Sequence, residues 1–184
     1  MKKFAFSFML FCMSTFVYGQ DCDIPLRPLV AQSSDGSYYP QVVNYLTNRL
    51  RVLTSKAGSI GGMENSQFAL AFGYDVIDKQ IVSGAPTKVI YNVNVSMHVV
   101  DLKAQKVYAT YSNEMKGIGD NETKALINAF RQMGNQKAKL GQMLKDGKTK
   151  ILDYYNTQYP NILKEAERAA SLQNYEQAIA LTVT

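Results

Sequence analysis

Three glycine-rich stretches are where nucleotide or acyl chemistry would have to begin. Gly147-Lys148-Thr149 carries the closing residues of a phosphate-binding loop, in which backbone amides and a lysine cradle phosphate oxygens. That loop needs a glycine five positions before its second one. Position 142 is Gln142, Gly141 is one residue out, and no buried strand precedes the segment. The amides then have no reason to converge on phosphate, and the segment reads as structural. Gly117-Ile118-Gly119 ahead of a helix supplies two of the three glycines of a dinucleotide fingerprint. The third position is Glu122, whose charge repels a pyrophosphate, and the preceding strand belongs to a hairpin rather than a βαβ unit. A tight strand-to-helix turn is the expectation. Ala57-Gly58-Ser59-Ile60-Gly61 has Ser59 and the second glycine of a nucleophile elbow, but an elbow follows a strand and Ser59 follows a helix.

Histidine and carboxylate chemistry is equally thin. His98 is the chain's one histidine, and a metal site built on it lacks a second histidine or a useful cysteine. It is expected as a surface or packed residue on the polar side of a strand. Asp75 and Asp78 lie three apart near a strand, so they are expected on opposite faces as solvated charges rather than as an acid–base pair. Glu165 and Glu167 read as the wet side of a helix. A carboxylate-dependent hydrolase acting on wall material is the alternative reading. It requires two of Asp75, Asp78, Glu114 and Glu122 to converge in one cleft. No catalytic, cofactor-binding or metal-binding residue is expected.

The composition sets where such a chain works. Its 184 residues carry 20 Lys and Arg against 15 Asp and Glu, with 46% hydrophobic and 19% charged residues. That is globular composition, long enough for one domain and an appendage. Lys2 and Lys3 precede an uncharged apolar stretch over residues 4–17, and Val17-Tyr18-Gly19-Gln20 offers small or tolerated cleavage residues. This is the order of a secretory signal peptide, too short for a spanning anchor, with cleavage expected after Gly19 or Gln20. Losing Lys2 and Lys3 takes the basic residues from 20 to 18 against 15 acidic ones, a net +3. The cations are scattered, which argues against nucleic acid as a partner. Cys12 leaves with the signal. Cys22 is then alone, and Gln20 and Asp21 in front of it do not make a lipid-attachment box. It is expected as an inert thiol in a leader.

Periodicity gives the elements that must position any site. Residues 29–31 read as a short strand before the Ser33–Ser37 turn. Val42, Leu46, Leu50 and Leu53 mark a helix over about 39–55, stopped by Gly58, Gly61 and Gly62. Residues 68–74 alternate large and small, extended by 76–82, and residues 83–86 turn the chain. Residues 88–100 alternate without a fault, with Val89, Tyr91, Val93, Val95, Met97 and Val99 on one side, and residues 106–115 return as an antiparallel partner. Asp120 is the expected N-cap of a helix carrying Ala125, Leu126, Ala129 and Phe130. From about residue 135 the pattern is helical, with breaks expected at Gly147 and Pro160. The fold class is α+β: a β-α-β-β-β-α domain whose mainly antiparallel sheet is covered by helices on one face, followed by a helical tail. The expected divisions are 1–20 signal, 21–134 α/β domain and 135–184 tail.

Two local patterns bring family likenesses. The hairpin leading into Lys116-Gly117-Ile118-Gly119-Asp120 and the Ala125–Ala129 helix resembles the amino-terminal domain of TolB, the curli-secretion lipoprotein and the lipoprotein activators of penicillin-binding proteins, over roughly residues 27–134. That resemblance implies assembly with protein partners in the cell envelope and no catalytic residues. The stretches Asn48-Arg49-Leu50, 117–125 and 154–166 are similar to a group of exported proteins of gut bacteria and their phages that brings no assigned activity. Ala166 to Ala170 with Asn174-Tyr175-Glu176-Gln177-Ala178-Ile179 resembles part of one tetratricopeptide repeat, which implies helical stacking.

The expected function is an exported, periplasmic or secreted, non-catalytic envelope adaptor that acts through protein–protein contact, with self-association as a further option. Its expected contact residues are Asn92, Asn94 and Ser96 on the wet side of the hairpin, and Tyr155 and Tyr175 in the tail. There an incomplete helical hairpin would leave an apolar groove open to a partner helix. A carrier of a small apolar ligand, using the Ala/Gly side of the 68–74 strand, is the remaining alternative. No cofactor, nucleic acid or membrane-spanning segment of the mature chain is expected.

Overall fold

The computed structural model describes residues 24–31, 39–57 and 66–182. The signal-like segment, Cys12, Cys22, the Ser33–Ser37 turn and Ser59 with its glycines lie outside them. The element order is β1 (Arg27–Val30), α1 (Pro40–Lys56), β2 (Phe68–Val82), β3 (Lys88–Asp101), β4 (Lys106–Gly119), α2 (Glu122–Arg131), a 3-10 turn (Gln132–Gln136), α3 (Lys137–Ser171) and α4 (Tyr175–Thr182). The α+β class and the β-α-β-β-β-α order are as the periodicity predicts.

The described strands form one sheet in the order β1-β2-β3-β4. β1 runs parallel to β2, and the two hairpins β2–β3 and β3–β4 are antiparallel. Alternation along β3 decides the layering. Val93, Val95, Met97 and Val99 are fully buried, while Asn92, Asn94, Ser96 and His98 on the other side are only half-buried. Each such buried side chain contributes roughly 1.5–3 kcal/mol. Val42, Leu46 and Leu50 of α1, Leu126 and Phe130 of α2, and Leu140, Leu144 and Ile151 of α3 join the same core. Among the described residues the other sheet face stays open.

Three local features depart from the sequence reading. In β2, Ile77 has no partner: Val76 pairs with Val93 and Asp78 with Asn92. This bulge resets the alternation, so Asp75 (opposite Asn94) and Asp78 share the open face instead of pointing apart. The N-cap of α2 is Asn121, whose Oδ1 accepts from the Lys124 amide at 2.9 Å. Asp120 instead pairs with Lys88 and Lys124, which hold its carboxyl below the usual range. Finally, α3 runs unbroken for 35 residues through Gly147 and Pro160, about 50 Å. Gly147 is no break. A Cβ there would lie 2.9 Å from Val99 Cβ, so the missing side chain is what lets α3 lie against β3. Pro160 falls on an exposed turn of α3.

Gly117 and Gly119 act in the same way. Both belong to β4 rather than to a turn. A Cβ on Gly117 would sit 1.9 Å from the Ala125 carbonyl oxygen, and one on Gly119 would sit 2.4 Å from the Ala125 nitrogen. Helix α2 therefore packs on β4 backbone to backbone. From there it also covers part of the sheet edge: Asn128 Nδ2 donates to the Ile118 carbonyl at 2.7 Å and Gln132 Nε2 to the Lys116 carbonyl at 2.5 Å. None of the helices among the described residues is long and apolar enough to cross a membrane.

Candidate functional site

The five expected contact residues occupy three separate places. Asn92, Asn94 and Ser96 stand on the open sheet face, engaged with their neighbours. Asn92 Nδ2 donates to Asp78 Oδ2 at 3.4 Å, and Ser112 Oγ donates to Asn94 Oδ1 at 3.0 Å. Tyr155 is on the covered side and half-buried. Tyr175 is 61% exposed on α4. His98, also on the open face, has Nδ1 3.1 Å from Thr110 Oγ1. Among the described residues no group of three His, Cys, Asp or Glu could hold a metal.

Tyr155 belongs to a polar knot that ties the β3–β4 turn to α3. Asp101, 1% exposed, accepts from Tyr155 OH at 2.5 Å, from Gln67 Nε2 at 2.9 Å, and from the amides of Lys103 and Ala104 at 2.9 Å each. Burial, then the Asp101 carboxylate, push the Tyr155 hydroxyl well above the usual tyrosine range. Aromatic rings extend the knot: Tyr155 meets Phe68 and Tyr154 edge-on, and Tyr154 meets Tyr108. Lys106 Nζ lies 3.5 Å from the Tyr154 ring centre. The Tyr108 hydroxyl is buried without a hydrogen-bond partner, and burial with the Asp101 charge pushes it up to about 12.

The carboxylates named for hydrolysis divide between the two faces. Asp75 and Glu114 both flank Asn94 on the open face, so their Cα atoms stand roughly 10 Å apart, two strand spacings, on a flat surface. Glu122 is on the covered side. It accepts from Lys79 Nζ and Tyr39 OH, and from Tyr91 OH at 3.1 Å. Lys79 first, then Tyr39, hold its carboxyl below the usual range, while Glu122 pushes the Tyr39 hydroxyl well above its own. Glu122 thus fastens the starts of α1 and α2 to β2 and β3.

A larger concavity is elsewhere, between α1 and α3. Helix α1 starts at Pro40, suited to a first turn, and sends Val42, Leu46 and Leu50 to the sheet. The neighbouring stripe, Arg49, Val52, Leu53 and Lys56, faces α3 across a groove of about 750 Å³. On the other wall α3 presents Lys137, Gly141, Lys145, Lys148 and Leu152, three or four residues apart. Leu53, Met133 and Leu144 make an apolar floor. Val52 and Leu152 leave 47% and 39% of their surface to solvent. Among the described residues no acidic side chain lines the groove. Lys148 Nζ donates to the Ala57 carbonyl at 2.8 Å. Around Gly141, a Cβ would meet nothing within 4 Å.

Sequence reasoning placed a groove in the tail but not this one. The signal was present: Lys137, Gly141, Lys145 and Thr149 recur every four residues beside the Leu140, Met143 and Leu144 core stripe. A polar stripe with a glycine in it reads as a solvated face until a second helix is set opposite it. A second apolar cavity, about 590 Å³, runs along α3 beside Phe68, Tyr155, Tyr159 and Leu163. The small-residue side of β2 (Ala69, Ala71 and Gly73) pairs onto the open face and lines neither cavity.

Comparison with known proteins gives outline likenesses. No protein-family model matches the chain, and no curated protein matches its sequence. Among solved structures it is similar to a DUF330-family protein of Xanthomonas campestris, at 16% identity, TM-score 0.38, over 67% of this chain and 84% of that one. It is similar to a provisionally assigned lipoprotein of Caulobacter crescentus at 10% identity, TM-score 0.36, over 70% and 91%. It is also similar to a minor lipoprotein of Acinetobacter baumannii at 15% identity, TM-score 0.27, over 66% and 88%.

Proposed function

We propose that this chain is an exported, non-catalytic adaptor of the cell envelope that works through protein–protein contact at the groove between α1 and α3. One observation carries the reading. The groove combines solvent-open apolar side chains, Val52 and Leu152, with basic rims on two helices, and no acid among the described residues lines it. Other features support it. Residues 1–20 have the order of a signal peptide. The resemblance of residues 27–134 to TolB-like envelope domains points to assembly rather than catalysis. Of the named carboxylates, Asp75, Asp78 and Glu114 stand on the open sheet face, and Glu122 is engaged by Lys79, Tyr39 and Tyr91.

The test is position-specific photo-crosslinking in exporting cells. A photoreactive residue at position 52 should yield one discrete protein adduct, and the same residue at position 94 on the open sheet face should yield none. Adducts from 94 and not from 52 would move the working surface to the sheet. No adduct at either position would remove the adaptor reading.

A further inference from the structure

Resting on that reading, we infer that the groove receives an amphipathic helix of another envelope protein, with a narrow apolar stripe flanked by Asp and Glu. The first ground is charge. Arg49 and Lys56 on one wall, and Lys137 and Lys145 on the other, form no ion pair among the described residues. A ligand carrying carboxylates on both flanks neutralises both walls at once, while a basic one is repelled.

The second ground is spacing. Both walls are helical stripes with steps of three and four residues, and such stripes are matched by a third helix whose side chains interdigitate with them. Gly141 is the open position on the α3 wall, free to take a large apolar knob. From Lys137 to Leu152 the wall runs about 22 Å at 1.5 Å per residue, room for four helical turns.

Other occupants fit less well. The chain's own first 20 residues carry Lys2 and Lys3 and no acid, so they meet the groove with like charge. Among the described residues a second copy has no acid-flanked helix to offer. Helix α1 has no acidic residue, α2 buries its apolar stripe in the core, α3 carries seven Lys and Arg against four Asp and Glu, and α4 has Glu176 alone. An anionic lipid shares the charge, but its acyl chains would lie in a trough that is open to water.

The test uses the exported chain and a fluorescent 18-residue peptide with Leu at every third or fourth position and Glu on both flanks. A second peptide replaces each Glu with Lys, and phosphatidylglycerol vesicles form a third arm. Fluorescence anisotropy should show saturable binding of the Glu peptide, and binding of the Lys peptide at least tenfold weaker. Gly141→Leu fills the knob position where there is empty space. It and the Lys137→Glu/Lys145→Glu pair should each cost tenfold or more with the melting temperature held. Equal binding of the two peptides, no binding of the Glu peptide, full binding to the Gly141→Leu variant, or vesicle binding that the Glu peptide does not displace would each overturn the inference. An adduct at position 52 together with failure of the Glu peptide would end this inference and leave the adaptor reading standing.

Discussion

At the scale of single residues, the informative glycines are those whose missing side chain is filled by a neighbour. Gly117→Ala drives a methyl into the Ala125 carbonyl and should cost about 3 kcal/mol in denaturant unfolding, the upper part of the usual overpacking range. Gly141→Ala meets nothing and should add about 1 kcal/mol by helix propensity alone. Sequence marks both only as glycines beside helices. Nothing local distinguishes a glycine pressed against a backbone from one facing a groove, because the neighbour is distant in the chain. The same holds for Asp101, which reads as a turn residue and turns out to be a buried acceptor for Tyr155 and Gln67. Its neighbour Tyr108 keeps a buried hydroxyl without a partner, so Tyr108→Phe should retain or gain up to about 1 kcal/mol at neutral pH. The same burial opposes ionisation of Tyr108 in the folded protein. A tyrosine raised from 10.0 to about 12 stabilises the fold below pH 10, and that contribution is lost as the pH rises toward 12. Tyr108→Phe should therefore flatten the fall in stability across that interval, measured by urea unfolding at stepped pH.

At the scale of elements, alternation made the long hairpin legible, because burial on one face of β3 imposes a strict two-residue period on the sequence. The bulge at Ile77 was not legible. A one-residue insertion leaves composition unchanged and shows only in the pairing of Asp75 and Asp78 with β3. The continuity of α3 was hidden by Gly147 and Pro160, which local propensity reads as stops. Packing on Val99 overrides the first, and exposure lets the helix carry the second. Glu122 joins four elements, and its linkage has a definite direction. Its folded-state carboxyl lies below 4.5, so its stabilisation is present above that value and drains away as the pH falls through the folded value. Glu122→Gln should be less stable than the parent at pH 7, and the two should converge as the pH falls below the folded-state value, in denaturant unfolding followed by circular dichroism.

At the scale of the whole molecule, among the described residues α1, α2 and α3 pack on one sheet face, and the basic groove forms between α1 and α3. The fold class was legible because it follows from periods within segments. The groove was not, because it depends on which helices become neighbours. The proposed function requires export, and amino-terminal sequencing of the exported form should begin at Gln20 or Asp21. The central claim is that contact is made at the groove rather than on the open sheet. Hydrogen exchange of the exported chain, alone and bound to the protein captured at position 52, tests it directly. Slowed exchange over residues 49–56 and 137–152 is the predicted result, and slowing confined to residues 92–96 and 110–114 would contradict it.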